Sequence, residues 1–245
     1  MKIKSSNPKT ATSSGYKLAH REPTRRVLRF LLRVFGYTLL AKLDRVEGLE
    51  NVPMEGPGIV IMNHIAFIDS LTIIHVLPRH IVPLAKVEVY DYPGIGIIPR
   101  LWGVIPVHRE EIDRRAVQIA LEVLAAGEMI LVAPEGTRSP ALQRGKVGVA
   151  YLAARADVPV IPVAIDGSKG FPALRPFGAW KTPGAVVRIG KPFKYRPEYR
   201  KARHEELAKM TDEAMYIISE MLPEERRGVY HDLTQASQDT ITRLT

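Results

Sequence analysis

The chain contains no cysteine among its 245 residues. This absence excludes a disulfide framework, a thiolate metal site and a cysteine nucleophile, so folding does not depend on the redox compartment. The serine-hydrolase pattern G-x-S-x-G is absent as well. Apolar residues make up 46% of the chain and charged residues 25%, an ordinary globular composition that excludes a disordered or fibrous protein. A chain of this length forms one domain with a sizeable core, or at most two small ones.

Long apolar runs are also lacking near the N-terminus, where the longest stretch free of charge is 34–41. A spanning helix needs about 20 apolar residues, so we expect no transmembrane segment here. The excess positive charge lies in this same region. Residues 1–45 contain 11 Lys or Arg and two acids, whereas the other 200 residues contain 24 of each sign. Such an asymmetry indicates a surface that meets an anion, either a membrane or a nucleic acid.

The N-terminal arm is predicted to have two parts. Residues 1–23 are rich in Lys, Ser and Thr and form a disordered basic tail. Residues 24–45 form an amphipathic helix in which Arg25, Arg29 and Arg33 share one face. This pattern is typical of a membrane-interfacial anchor whose arginines contact anionic headgroups. The alternative is a helix packed on the core with a solvated basic face.

The body of the chain alternates short β-branched runs with helical patterns, which predicts a single α/β domain, a central mixed sheet covered by helices. We assign this domain to residues 46–222 and a C-terminal tail to residues 223–245. Several strands are apolar throughout, as expected of strands buried on both faces. The predicted strands are 58–62, 81–85, 103–107, 129–133, 160–165 and 185–189; the predicted helices are 113–126, 147–154 and 204–221.

The most informative stretch is an apolar strand that ends in Asn63 and His64, with Asp69 five residues after the histidine. On one continuous helix these two side chains would point about 140° apart. They can meet if His64 ends the strand and Asp69 lies in the first turn of the next helix. A carboxylate on one ring nitrogen would fix the tautomer and leave the other nitrogen to take a proton from a hydroxyl. Because no nucleophile completes a triad, the attacking oxygen would come from a substrate.

Three later segments add groups that suit an anionic substrate. The strand 103–107 is followed by Arg109, and another buried strand leads into residues 133–139, which include Arg138. Arginine grips a phosphate through two parallel hydrogen bonds. A third segment, 158–163, has Pro162 at a predicted edge or bulge. Each segment also has a structural interpretation, as an ion-pair partner, a turn or a strand end.

Together these blocks resemble the glycerolipid acyltransferases typified by 1-acyl-sn-glycerol-3-phosphate acyltransferase. The similarity extends over roughly residues 46–195. One departure concerns the position two residues after His64, where many members have Ser and this chain has Ala66. The matching motifs are N-H-x4-D at Asn63, His64 and Asp69; A-K-x-E containing Lys86; G-x-I-x-V-x-R ending at Arg109; E-G-T-R-S at Glu135, Gly136, Thr137, Arg138 and Ser139; and the hydrophobic block around Pro162.

The resemblance implies a glycerol-3-phosphate acyltransferase-like fold and acyl transfer from acyl-CoA or acyl-acyl carrier protein to lysophosphatidic acid, giving phosphatidic acid. It implies no cofactor, no metal and no acyl-enzyme. His64 is expected to deprotonate the acceptor hydroxyl, oriented by Asp69. Arg138 is expected to bind the phosphate with Arg109, Gly136 and Thr137, and Glu135 to orient the loop or the glycerol. Asn63, Lys86 and Ser139 complete the expected substrate-binding set. The enzyme is expected at the cytoplasmic face of a membrane as a peripheral protein.

Other functions remain open at this stage. The basic arm and the pI of 9.7 suit a nucleic-acid-binding module. The body of the chain has no net charge, however, so we expect no nucleic-acid partner. A relative without activity could bind lipid alone, or a thioester hydrolase could use His64 and Asp69 on water. A zinc site is not expected, since His75 and His80 lack the i, i+4 spacing of a helical pair. Another lysophospholipid or alcohol could also be the acceptor.

Overall fold

The computed structural model describes residues 21–40, 42–94, 96–108, 113–168 and 183–244. Residues 1–20 of the predicted tail therefore lie outside the described residues. Six helices in the described residues carry the labels used below. They are α1 (Glu22–Leu31, continued by a π-helical segment, Leu32–Leu40), α2 (Asp69–Val76), α3 (Ile97–Trp102), α4 (Arg114–Ala125), α5 (Gly148–Ala156) and α6 (His204–Glu220).

Nine strands of the described residues form one mixed sheet in the order β1-β7-β6-β2-β5-β3-β4, extended by β8 on β6 and by β9 on β8. Strands β6, β2, β5, β3 and β4 run parallel, and β7 runs antiparallel to β6. The five parallel strands therefore bring their carboxyl ends to one edge of the sheet. The bounds are β1 (Leu43–Glu47), β2 (Gly58–Met62), β3 (Ile81–Lys86), β4 (Ile105–Val107), β5 (Met129–Val132), β6 (Val160–Asp166), β7 (Ala185–Ile189), β8 (Phe193–Tyr195) and β9 (Ile241–Arg243).

The core lies on both faces of this sheet, as the apolar strands predicted. Strand β2 is buried at all five positions and sends Ile59 and Ile61 to one face and Val60 and Met62 to the other. Helices α4, α5 and α6 cover the first face, and α2 and α3 cover the second. The prediction of a single α/β domain with a helix-covered mixed sheet is confirmed.

The two ends of the chain correct the predicted boundaries. The helical arm ends at Leu40, and residues 43–47 form β1, a strand paired with β7. The segment 223–244 is not a tail: it forms three short 3-10 turns and strand β9. Tyr230 and Ile241 are buried, and the buried Glu213 carboxylate accepts hydrogen bonds from Thr240. This segment therefore belongs to the packed domain.

Helix α1 buries two of the arginines that were expected on its outer face. Arg25 is 1% exposed and donates from Nε to the Trp102 carbonyl at 2.8 Å. Arg29 is 7% exposed and donates to the Pro78 carbonyl. Phe30, on the other side of the helix, is 64% exposed. The prediction of an outward basic face, on headgroups or in solvent, is wrong for these two arginines, because main-chain carbonyls of the domain bind them.

Candidate active site

The end of β2 is fixed by the side chain of Asn63. Its Nδ2 donates to the Ile165 carbonyl and its Oδ1 accepts from the Ile165 N–H, both at 2.8 Å. The amide is 3% exposed. Asn63 therefore ties the end of β2 to β6 and is occupied by main chain, which corrects its expected place in the substrate-binding set.

His64 and Asp69 form the predicted contact. His64 follows the carboxyl end of β2, and Asp69 is the first residue of α2. His64 Nδ1 lies 3.1 Å from Asp69 Oδ2. The same carboxylate oxygen accepts the Ile65 and Ala66 N–H groups at 2.6 and 2.7 Å. A fully buried carboxylate therefore orients the imidazole and also holds the turn between strand and helix.

The imidazole of His64 remains partly accessible to solvent. The side chain of His64 is 16% exposed, whereas the side chain of Asp69 is fully buried. With the Nδ1 proton directed at the carboxylate, Nε2 is the ring nitrogen left to accept a proton. A buried carboxylate also stabilises the imidazolium that this transfer creates. The pair thus has the geometry of a general base.

Glu135 joins the loop after β5 to the backbone of His64. Its Oε1 accepts the His64 N–H at 3.1 Å, and its Oε2 accepts the Gln143 N–H at 2.8 Å. On the other side, the Ser139 N–H donates to the His64 carbonyl at 2.8 Å. Both main-chain polar groups of His64 are therefore held by the loop 133–146, and Glu135 has the loop-orienting role that the sequence suggested.

Burial raises the pKa of the Glu135 carboxyl to about 7, and the negative charge of Asp69 acts in the same direction. The hydrogen bonds from the Gln143 and His64 N–H groups oppose this rise but do not cancel it. A carboxyl with a pKa near neutrality therefore accepts a hydrogen bond from the backbone of His64.

The loop 133–146 turns sharply at Gly136, whose φ is +67°. The positive φ favours glycine here, and a Cβ at this position would lie 3.1 Å from Cε and Nζ of Lys146, which shows how closely that side chain approaches the turn. The Gly136 N–H donates to the Ala133 carbonyl, so the glycine shapes the loop and its N–H is not directed at a ligand. Thr137 and Arg138 are exposed immediately after it. Sequence reasoning missed Lys146, which no motif or periodicity marks.

The remaining predicted residues lie further away or outside the description. Lys86 ends β3, so it lies on the same edge of the sheet as His64 but beyond β5, with its ammonium 5.9 Å from the centre of the Tyr92 ring. Arg109 lies outside the described residues. The structure thus brings His64, Asp69, Glu135, Gly136, Thr137, Arg138 and Ser139 together.

A C-terminal brace, residues 224–230, supports the loop 133–146 from outside. Arg226 Nε pairs with Asp166 Oδ1 at 2.9 Å, and its Nη1 donates to the Pro140 carbonyl at 2.9 Å. Its own carbonyl accepts the Leu142 N–H, and Tyr230 Oη accepts the Gly145 N–H. Sequence analysis missed this brace because its contacts are long-range and follow no local pattern.

We expect Arg226→Met to lower the free energy of unfolding by about 1–2 kcal/mol, since hydrogen bonds to charged groups are lost at a partly exposed site. The acyl transfer expected from the family resemblance should fall several-fold because the loop loses one support. Thermal denaturation and steady-state rates measure both effects. Arg200→Met, which removes an exposed pair with Asp157 elsewhere, is the matched control. Equal behaviour of the two variants would show that the brace does not support the site.

A sequence profile of the acyltransferase family matches residues 44–166, half of the chain. The chain belongs to the acyltransferase family. The match includes the His64–Asp69 pair and the whole E-G-T-R-S segment of the loop 133–146, whereas the brace lies beyond it.

Two curated acyltransferases are similar to this chain over different lengths. The 1-acyl-sn-glycerol-3-phosphate acyltransferase alpha of Ovis aries is 31% identical over 151 residues, which is 60% of this chain and 52% of the relative. The 1-acyl-sn-glycerol-3-phosphate acyltransferase of Bacillus subtilis is 26% identical over 181 residues, 72% and 87% of the two chains. The chain thus spans about half the length of the animal relatives it matches.

The fold agrees with a solved acyltransferase structure. The 1-acyl-sn-glycerophosphate acyltransferase PlsC from Thermotoga maritima superposes with a TM-score of 0.55 at 27% identity, covering 83% of this chain and 79% of the other. None of the helices in the described part of this chain combines the length and apolar character that crossing a membrane requires.

Proposed function

We propose that this acyltransferase moves a fatty acyl group from an acyl thioester to the free hydroxyl of lysophosphatidic acid, giving phosphatidic acid. The observation that carries the proposal is the His64–Asp69 pair, with Nδ1 held by a buried carboxylate and the ring open beside the loop 133–146. The Ovis aries and Bacillus subtilis relatives, both 1-acyl-sn-glycerol-3-phosphate acyltransferases, support the choice of acceptor.

The proposed reaction has one nucleophilic attack and two proton transfers, one during the attack and one as the thiol leaves. Nε2 of His64 takes the proton of the acceptor hydroxyl while that oxygen forms a bond to the thioester carbonyl carbon. The tetrahedral intermediate then collapses, the C–S bond breaks, and the leaving thiolate receives the proton from the imidazolium. Acyl-CoA or acyl-acyl carrier protein supplies the thioester. Because the acceptor oxygen attacks that thioester directly, the protein itself is not acylated, and the proposed steps use no cofactor.

The acceptor phosphate is assigned to the exposed part of the loop 133–146. Arg138 supplies a guanidinium suited to a phosphate, Thr137 a hydroxyl, and Gly136 the turn that presents them. Lys146 adds an ammonium over Gly136. Arg109 is the further phosphate ligand expected from the resemblance.

The reaction class is tested with purified protein and labelled acyl-CoA, with and without lysophosphatidic acid. Labelled phosphatidic acid that forms only with the acceptor supports transfer. Free fatty acid released at the same rate in both samples would indicate a thioester hydrolase instead. A panel of other lysophospholipids and an acyl-acyl carrier protein donor then define acceptor and donor preference.

Arg138→Ala should raise the KM for lysophosphatidic acid by about 10- to 100-fold, since a hydrogen-bonded charge pair with the phosphate contributes about 1.5–3 kcal/mol. The KM for the acyl donor should change much less. Steady-state kinetics with each substrate varied in turn provides the measurement. Arg144→Ala, an exposed arginine of the same loop, is the control and should change neither constant. Equal rises for donor and acceptor would place the phosphate elsewhere.

We also propose that the enzyme acts as a peripheral protein at the cytoplasmic face of a membrane. Acceptor and product are both membrane lipids, and the N-terminal arm has an exposed apolar side. Residues 1–20 contain four lysines and no acidic residue, a composition attracted to anionic lipid surfaces.

A further inference from the structure

An exposed apolar surface extends over two helices that contact each other. Nε of Arg25 in α1 donates to the Trp102 carbonyl at the end of α3, and Arg21 bonds the Arg100 carbonyl. The apolar side chains on the outer side of both helices are 41–64% exposed. We call this the α1–α3 surface; its main side chains are Val27, Phe30, Leu31, Phe35, Ile97 and Leu101.

Docking on the domain covers only part of the apolar side of α1: Leu28 and Leu32 pack against the core, whereas the arm's side chains of the α1–α3 surface remain exposed. An amphipathic helix of a globular protein ordinarily buries its apolar stripe and exposes its polar one. Here Arg25 and Arg29 face inward, and Arg29 has Nε and Nη2 buried without a hydrogen-bond partner among the described residues. Burial of unpaired polar atoms opposes docking. Binding of the exposed apolar side chains of α1 to a partner outside the chain would remove them from water and so stabilise this arrangement.

The charges around the α1–α3 surface favour a lipid bilayer over a second copy of the chain. Arg26, Arg33 and Arg100 are exposed on the same two helices. Glu22, the acidic residue of α1, is already paired with Arg26 and His80. Two copies meeting through this surface would bring like charges together, whereas an anionic leaflet accepts apolar side chains and basic neighbours at once.

The arm also leads to the catalytic edge of the sheet. The Lys42 carbonyl accepts the Ala185 N–H at 2.8 Å, so the chain leaves the arm beside the start of β7. In the β6–β7 pairing, Val186 is opposite Asp166, the last residue of β6. The carboxyl end of β6 is bonded to Asn63, next to His64. The arm thus connects the α1–α3 surface to the edge at which the acceptor would react.

We propose that α1 and α3 together form the membrane-binding surface, with their apolar side chains inserted into one anionic leaflet. Arg25 and Arg29 tie α1 to the domain, and the exposed arginines of the two helices contact the headgroups. The inference deepens the proposed function, on which it rests for its lipid substrate. It differs from anchoring by the arm alone because α3, which follows β3 far along the chain, contributes to insertion.

The test uses the full chain and two double variants, Phe30→Ser/Phe35→Ser in the arm and Ile97→Ser/Leu101→Ser in α3. Leu49→Ser/Met54→Ser removes comparably exposed apolar side chains away from the α1–α3 surface and is the matched control. Partitioning is measured by cosedimentation with phosphatidylcholine vesicles containing phosphatidylglycerol, without acyl donor. Each surface variant should lower the partition coefficient about tenfold or more, and the control should not.

Two further measurements make the result decisive. Acyl transfer to a short-chain lysophosphatidate below its micellar concentration should stay within about twofold of wild type, as insertion is not needed there. Normal partitioning of the α3 variant would overturn the proposal, as would a wild-type dimer that these substitutions dissociate in sedimentation equilibrium. Failure of wild type to acylate the soluble acceptor would contradict the proposed function, while the vesicle measurement would still decide the surface.

Discussion

Replacing His64 by alanine should lower acyl transfer by about 10²–10⁴-fold, the usual loss when a general base is removed. The imidazole is the group at this edge that can take the hydroxyl proton while Asp69 stabilises its charge. The fold should persist, because Asp69 Oδ2 also accepts the Ile65 and Ala66 N–H groups, which the substitution leaves in place. Initial rates of labelled phosphatidic acid formation, with thermal denaturation alongside, measure the two expectations.

His204→Ala is the control for this experiment, since His204 is exposed at the start of α6. It should retain wild-type turnover. Near-normal turnover of His64→Ala with a wild-type melting temperature would remove His64 as the base and with it the proposed mechanism. A variant that loses turnover but also fails to melt cooperatively would be replaced by His64→Gln, which keeps a polar side chain at the site.

The contact between His64 and Asp69 could be predicted from the sequence because it depends on local geometry. A strand that ends at His64 and a helix that begins at Asp69 leave one short turn for the chain to cross. The E-G-T-R-S loop was predictable for a related reason, since it follows another strand of the same parallel set. The carboxyl ends of adjacent parallel strands necessarily meet at one edge.

The orientation of α1 could not be predicted in this way. Periodicity separates the arginines from the apolar side chains, but it does not state which side meets the domain. The deciding partners are the carbonyls of Trp102 and Pro78, 77 and 49 residues from the arginines they bind. Strand β1 was missed for the same reason, because its partner β7 lies far along the chain. Such long-range contacts leave no trace in local composition.

Glu135→Gln should lower acyl transfer by about 10²-fold although it preserves size and shape. Each carboxyl oxygen of Glu135 accepts one peptide N–H, from His64 and from Gln143. An amide nitrogen cannot accept, so one buried N–H loses its partner at a cost of about 1–3 kcal/mol. Loss of the bond to the His64 N–H displaces the base, and loss of the bond to the Gln143 N–H displaces the loop 133–146. Misplacement by about 1 Å can cost two orders of magnitude in rate. Turnover at saturating substrates provides the measurement, and Glu220→Gln, at an exposed position, is the control.

The same variant tests the raised pKa of Glu135 through stability. Burial raises this pKa from 4.5 to about 7, so the folded protein retains a proton that the unfolded chain releases earlier. The stabilisation by protonation is complete below about pH 4.5 and is lost as the pH rises through about 7, by up to about 3 kcal/mol. Glutamine does not titrate. Denaturant unfolding between pH 5 and 8 should therefore show wild type losing stability relative to Glu135→Gln as the pH rises, whereas a pH-independent difference would show that the carboxyl does not titrate in this range.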